Sequence, residues 1–340
     1  MKKLQCAVIG LGRLGFHHAT NLAGRIPAAE LVAVSDISQV SLDLFTAGVP
    51  NVKTYLDYHE LLNDKEIDAV IVASSTSMHG IIVKDAVYAK KAVFCEKPLS
   101  LDLDEAEEIQ KLVKKENAFV QLGFMRRFDS GYVVAKKKIE SEKIGKPVSI
   151  LAISRDPSCP PIEFAKTSGG LVMDMSIHDI DLCRWFFGCE AVEAYAKGGV
   201  IRYPELGEIG DIDHANISLT FENGEMALLE TSRNSTYGYD VRTEVVCERG
   251  GVFVGRLEDA PAVILTPEEM GVTTLPGFLD RFEQAYFNEM KVFVKDVLEG
   301  NPVSVGVDDG VAAMIITKAI QKSLNTNKAV RIKEVMHEAI

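Results

Sequence analysis

Long hydrophobic runs are missing from this chain of 340 residues: no stretch approaches the ~18 apolar residues that span a bilayer, which argues against a membrane-embedded protein. Residues 6–11, behind Met1-Lys2-Lys3, imitate a secretion signal only faintly, because glycine interrupts them and Arg13 ends them. Cysteine is sparse and scattered. Cys6, Cys95, Cys159, Cys183, Cys189 and Cys247 form no C-x-x-C pair and no zinc-like spacing, so reduced thiols, a cytoplasmic setting and no bound metal are expected. Positive charge is short, with 37 Lys and Arg against 49 Asp and Glu and a net charge of −12. Such a chain lacks the counterion-releasing surface that drives nucleic-acid binding. The densest basic run, Lys136-Lys137-Lys138, reads as a solvated helix face.

What remains is the composition of an ordinary soluble protein, 47% apolar and 25% charged, which excludes disordered, collagenous and coiled-coil classes. The length suggests two domains. Up to about residue 123, short Val/Ile/Ala-rich runs at 5–9, 31–35, 69–73, 92–95 and 119–122 alternate with helical patterns such as 79–89 and 104–116. The runs do not alternate with polar residues, as strands buried on both faces do not. Strand–helix–strand alternation predicts an α/β, doubly wound parallel sheet with right-handed crossovers. The pattern then changes. A helix near 131–141, a strand at 148–155 and a helix near 171–187 precede extended runs from 192 to 265, divided by turn signals. These predict a largely antiparallel sheet, one face of it solvated or covered by a partner. Two helices follow, about 278–299 and 308–323, the second with Asp308 as N-cap. The expected division is 1–123 for nucleotide and 124–340 for substrate and oligomerisation.

Gly10-Leu11-Gly12-Arg13-Leu14-Gly15 follows the first strand and opens a helix. Gly10 suits the tight turn, Gly12 lets backbone approach a pyrophosphate, and Gly15 lets helix and strand pack closely. The helix N-terminus adds free N–H groups and a positive dipole. Asp36 ends the next strand, 21 residues after Gly15, where a carboxylate can accept hydrogen bonds from ribose hydroxyls. A 2′-phosphate would meet like-charge repulsion there, favouring NAD over NADP; Arg13 pulls the other way. Ser74-Ser75-Thr76 lies at another carboxyl edge. His79 begins the following helix, either as a cofactor contact or as a cap.

Two further groups suggest chemistry. Lys97, in Cys95-Glu96-Lys97-Pro98 after the fifth strand, could polarise a substrate oxygen; by itself a surface lysine is the commoner case. Asp174, His178 and Asp181 stand at i, i+4 and i+7 on one face of a largely apolar helix. A buried carboxylate beside an imidazole suits a general base better than a metal site. A satisfied structural histidine is the alternative.

Together, the glycine loop with Asp36, Glu96-Lys97-Pro98 and Asp174-x-x-x-His178 resemble the glucose–fructose oxidoreductase/inositol dehydrogenase/rhizopine catabolism (Gfo/Idh/MocA) family over essentially the whole chain. Gly123-Phe124-Met125-Arg126-Arg127-Phe128-Asp129-Ser130-Gly131-Tyr132, His178-Asp179-Ile180-Asp181 and Tyr237-Gly238-Tyr239-Asp240 resemble its inositol-oxidising branch. The resemblance implies a Rossmann domain, then an α+β domain with an open-faced mixed sheet, packed as a homotetramer. It implies NAD-dependent oxidation of a ring hydroxyl of myo- or scyllo-inositol, with Lys97, Asp174 and His178 as the catalytic set. On the cofactor side it adds Ile37, Glu96, Lys97 and Arg126 to Gly10, Leu11, Gly12, Arg13, Leu14, Asp36, Ser74, Ser75, Thr76 and His79. On the substrate side it adds Met125, Arg126, Asp156, Tyr237 and Tyr239 to the catalytic three, and Arg155 and Asn234 offer further polar groups. Ser154-Arg155-Asp156 departs from the related pattern, in which histidine and asparagine are expected at the first and third positions; this opens the choice of isomer. Another sugar, such as a glucose-type pyranose, with NAD(P) is the competing substrate, and a silent nucleotide-binding regulator is the competing class. A zinc alcohol dehydrogenase fails on the missing cysteine clusters.

Overall fold

The computed structural model describes residues 2–255, 258–259, 263–267 and 270–336, which fall into two compact units. Part of the extended segment read from sequence, residues 256, 257 and 260–262, lies outside the described residues, as do 337–340. One unit comprises Met1–Met125 with Tyr286–Ala312, the other Arg126–Ala285 with Ala313–Ile340.

In the first unit, β1 (Leu4–Ile9), β2 (Ala29–Ser35), β3 (Lys53–Tyr55), β4 (Ala69–Val72), β5 (Ala92–Cys95) and β6 (Val120–Leu122) form one sheet in the order β3-β2-β1-β4-β5-β6. Every pairing is parallel. This is the doubly wound sheet expected from the unbroken apolar runs: all of β4 is buried, and so is almost all of β1. The strand order reverses between β1 and β4, so the loops after these two strands flank the crevice where such sheets bind ligands. Local chemistry sets the helix ends. Asp102 caps Leu103–Glu116 by accepting from Glu105 N at 3.0 Å, and Asn117 ends that helix in the left-handed region. The core of this unit also takes Met290, Phe293 and Val294, from the far end of the chain, against Val8, Ile71 and Phe94. The segment 286–312 thus joins the first unit, where the sequence reading placed everything after residue 123 in the second.

In the second unit, β7 (Pro147–Arg155), β8 (Ala191–Gly199), β9 (His214–Phe221), β10 (Met226–Ser232), β11 (Asp240–Cys247) and β12 (Gly250–Gly255) belong to one sheet. Beyond a two-stranded ribbon, β13 (Ile264–Leu265) with β14 (Met270–Gly271), the edge strand β15 (Val330–Arg331) completes seven strands in the order β12-β11-β7-β10-β9-β8-β15. Only β7 and β10 run parallel; the other pairs are antiparallel. Side chains alternate along the regular stretches of the central strands. Ile150, Ala152, Ile217, Leu219, Ala227 and Leu229 are buried on one face. Leu151, Met226, Leu228 and Val246 stand exposed on the other. The helix expected near 171–187 is a wide π turn, Val172–Ser176, continued by an α-helix, Ile177–Phe187. The late helices are Phe278–Glu299 and Val307–Thr326. Asp308 lies inside the latter and is no cap: its carboxylate takes Gln110 Nε2 at 2.6 Å and Lys114 Nζ at 2.8 Å. No helix among the described residues is long and apolar enough to cross a membrane.

Candidate active site

The glycine loop is shaped by its own backbone. Gly10 has φ +92, and a Cβ there would lie 2.7 Å from the Ala73 carbonyl oxygen. A Cβ at Gly15 would sit 1.8 Å from the Gly10 oxygen, so helix and loop meet at a separation only glycine permits. At Gly12 a Cβ would meet no protein atom within 4 Å; the backbone there faces open space. The helix Arg13–Thr20 starts at this point with no side-chain cap and no acidic residue in its first turn, which suits an incoming anion. Asp36 is held by two backbone amides: Leu11 N donates to Oδ2 at 2.7 Å and Ser38 N to Oδ1 at 2.8 Å. Each oxygen keeps a second lone pair for a diol. Ile37 beside it is 94% exposed, an apolar surface next to that carboxylate. Leu11 is buried and Arg13 exposed. Loop and acid together fit the adenosine half of a dinucleotide.

At the end of β4, Ser74 and Thr76 are half-buried and Ser75 is exposed. His79 resolves differently from a direct ligand contact. Its ring is buried, with Nδ1 2.8 Å from the Pro98 oxygen and Nε2 3.3 Å from the Ser74 oxygen. Burial lowers its pKa, so the ring is neutral with a single N–H; donated through Nδ1 to the Pro98 oxygen, it fastens the start of its own helix to the Lys97-Pro98 loop. Lys97 is half-buried after β5. Its neighbour Glu96 is 5% exposed and accepts from His18 Nε2 at 2.8 Å. This buried pair joins the glycine-loop helix to the segment bearing Lys97.

Glu289 shares that interior, with no exposed surface. Burial, then the charge of Glu96, pushes its carboxyl well above the usual range, so it holds a proton in the fold that the unfolded chain releases. For a pKa raised on folding, the stabilisation is complete below the unfolded value and is lost as pH climbs toward the folded one. Glu289→Gln, neutral at every pH, is therefore expected to shift Tm upward more at pH 8 than at pH 5. Thermal melts of both proteins across pH check this; parallel curves would refute it.

In the second unit, Asp174 sits in the π turn and His178 follows as the second residue of Ile177–Phe187, 7% exposed. Three side-chain contacts anchor the turn. Leu171 N donates to Asp211 Oδ1 at 2.9 Å, Ser176 Oγ meets Thr231 Oγ1 at 2.7 Å, and Arg233 donates to Asp174 Oδ2 at 3.3 Å. Asp181, expected on the same face as His178, instead forms a bidentate pair with Arg127, at 2.8 and 2.5 Å. Arg126, expected at both cofactor and substrate, is 3% exposed and committed inside the unit. It donates to Asp179 at 2.5 Å and to Ser154 Oγ at 3.0 Å, while Ser154 donates to the other Asp179 oxygen at 2.6 Å. Ser154, one of the departures from the related pattern, thus completes a buried triad.

Arg155 is likewise occupied, bidentate on Glu230 at 2.9 and 2.6 Å and within 2.7 Å of the Tyr237 hydroxyl. That hydroxyl donates to Asp240 at 2.9 Å, though 45% of Tyr237 stays exposed. Asn234 is exposed and accepts from Arg202. Asp156 is half-buried, and Tyr239 and Met125 are buried. Burial, then the Asp156 carboxylate, raises the Tyr239 phenol. His18, Glu289, Asp179, Asp211 and Arg233 carried no role in the sequence reading. Only Arg233 had a visible signal: a cation at the end of a strand whose alternate residues are apolar. Among the described residues no three His, Cys, Asp or Glu side chains gather as a metal site.

Comparison with known proteins accords with this geometry. Residues 4–124 match the oxidoreductase family with NAD-binding Rossmann fold, and residues 132–253 match the GFO/IDH/MocA C-terminal domain. The chain is 39% identical to the myo-inositol 2-dehydrogenase of Thermotoga maritima over 98% of its own length and 100% of that protein. It is 38% identical to the NAD-dependent scyllo-inositol 2-dehydrogenase of Bacillus subtilis over 90% of each chain. The crystal structure of the Lactobacillus casei scyllo-inositol dehydrogenase with bound NAD(H) and scyllo-inositol superposes with a TM-score of 0.92 at 33% identity, covering 98% of this chain and 100% of that one. Two family models that together span most of the chain, with relatives matched over nearly their full length, establish that the chain belongs to the NAD-binding Gfo/Idh/MocA oxidoreductase family.

Proposed function

We propose that this protein is an NAD-dependent inositol 2-dehydrogenase, oxidising a ring hydroxyl of myo- or scyllo-inositol to an inosose. The observation that carries this is the likeness, end to end, to one enzyme named for each isomer. Residues up to 125 would hold the dinucleotide. The loop from Gly10 through Leu14 offers backbone to its phosphates, Asp36 takes the ribose diol, and Ser74, Ser75 and Thr76 line the path toward Lys97. When bound, NAD supplies the hydride acceptor. The chain supplies the rest. His178 takes the proton of the reacting hydroxyl, Lys97 donates a hydrogen bond to its oxygen, and Asp174 orients the imidazole. Asp156, Tyr237, Tyr239 and Met125 shape the substrate side. Glu96, His79 and Arg126 work one step back, holding those segments in place.

NADH formation with myo-inositol, scyllo-inositol, D-chiro-inositol and glucose, each with NAD and with NADP, tests the reading. Turnover of an inositol with NAD is expected; turnover of glucose alone, or of none, overturns it. The cofactor half has its own test. Asp36→Ser removes the charge opposing a 2′-phosphate, so the NAD/NADP ratio of kcat/KM is expected to fall at least ~10-fold, since one lost charged hydrogen bond is worth about 1.5–3 kcal/mol. An unchanged ratio would place the adenosine ribose elsewhere.

Assembly and setting follow from two further observations. The exposed sheet face carries Leu151, Met226, Leu228 and Val246 side by side, more apolar surface than a solvated sheet presents, which supports a homo-oligomer, by resemblance a tetramer, built on that face. All six cysteines are free, and burial raises the thiols of Cys6, Cys95 and Cys183, which supports a reducing, cytoplasmic setting.

A further inference from the structure

We infer that Arg233 is a positioning residue for the oxidation: from the end of β10 it holds the Asp174 carboxylate, with Asp211 as second anchor, and so fixes the turn that presents Asp174 and His178. The inference rests on the reading of Asp174 and His178 given above.

The Arg233 side chain is 1% exposed, and a guanidinium this deeply buried needs carboxylate partners. Two are supplied, Asp174 at 3.3 Å and Asp211 at 4.0 Å. Both carboxylates meet the same nitrogen, Nη2, one arm of a planar fork whose reach and orientation lysine does not reproduce. Asp211 in turn spans the assembly, because its other oxygen accepts from Leu171 N, the residue before the π turn. The chain makes room for it at Gly170, φ +81, where a Cβ would fall 2.8 Å from Asp211 Oδ1.

The end of β10 serves as the fixed support. Thr231 within β10 and Arg233, one residue past its end, meet Ser176 and Asp174, themselves two positions apart in the turn. The backbone of Arg233 is pinned as well, its N–H donating to the Asp213 oxygen at 2.9 Å. Asp213 is itself fixed, with Ile201, Arg202 and Tyr203 amides on its carboxylate. A π turn is rare and weakly self-supporting, and tends to occur where side-chain placement matters. This one is held before its start by Asp211, at its middle by Arg233 and at its end by Thr231. Of the three, only Arg233 touches a group assigned to the reaction.

The test uses the full-length enzyme with NAD and its best inositol. Arg233→Met is expected to lower kcat by about 10–100-fold, as small misplacements of reacting groups do, with KM for NAD unchanged because the nucleotide loop is untouched. Since that variant leaves two carboxylates without their cation, R233M/D211N is made beside it. Removing one charge of each sign restores Tm toward wild type, while kcat stays low because Asp174 still lacks its anchor. R233K, which keeps charge but not the fork, gives an intermediate kcat. Wild-type kcat in R233K together with wild-type kcat and Tm in R233M/D211N would reduce Arg233 to a packing role and overturn the inference. Asp174→Asn and His178→Ala are run in parallel. If both keep full turnover, the reading of the site falls first and the inference with it, a result distinct from failure of the Arg233 variants alone.

Discussion

His178→Ala is expected to lower turnover at pH 7 by about 10²–10⁴-fold, the usual contribution of a positioned general base, while NAD still binds. The imidazole is 7% exposed, so removing it also opens space inside the unit. A melting curve therefore accompanies the kinetics, to separate lost chemistry from lost fold. Two further signatures distinguish a base from a packed ring. The deficit is expected to shrink as pH rises, because solvent hydroxide can then replace the missing acceptor. Added imidazole is expected to restore part of the rate through the vacated space. Full turnover in the alanine variant would remove His178 from the chemistry.

Lys97→Met carries the second large effect. Methionine keeps the length of the side chain and deletes its charge and donors, so packing around a half-buried stem is largely conserved. A donor aimed at an oxygen that gains negative character is worth about 10²–10³ in kcat. The loss is expected in kcat more than in the affinity for NAD, because in the proposed reading Asp36 and the glycine loop hold the far end of the dinucleotide. Titration calorimetry with NAD beside steady-state kinetics reads the two quantities apart. Normal turnover would show Lys97 to be a surface lysine.

The features readable in the sequence are those whose causes are local. Gly10, Gly12 and Gly15 announce a loop because backbone geometry at three nearby positions forbids a side chain or leaves space for a ligand. The buried strands show as apolar runs, whereas the π turn that carries Asp174 leaves no mark in the spacing. What stayed hidden depends on partners remote in sequence. Glu96 is placed beside the cofactor by resemblance alone, and its partner His18 stands 78 residues earlier. Arg126 looked available until Asp179, 53 residues on, and Ser154 occupied it. Arg127 likewise claims Asp181 from 54 residues away. Spacing along a helix says which side chains share a face, but not which distant residue satisfies them. β3, three residues long with two of them exposed, has no pattern to read.

The late helix that lends Met290, Phe293 and Val294 to the first unit bears on how the protein can be cut. Expressing residues 1–125 as a stand-alone fragment would strip Phe94 and Ile71 of neighbours encoded more than 150 residues downstream, leaving a sticky patch prone to aggregation. A soluble minimal nucleotide binder would instead need 286–312 stitched back on, by a linker or as a co-expressed peptide.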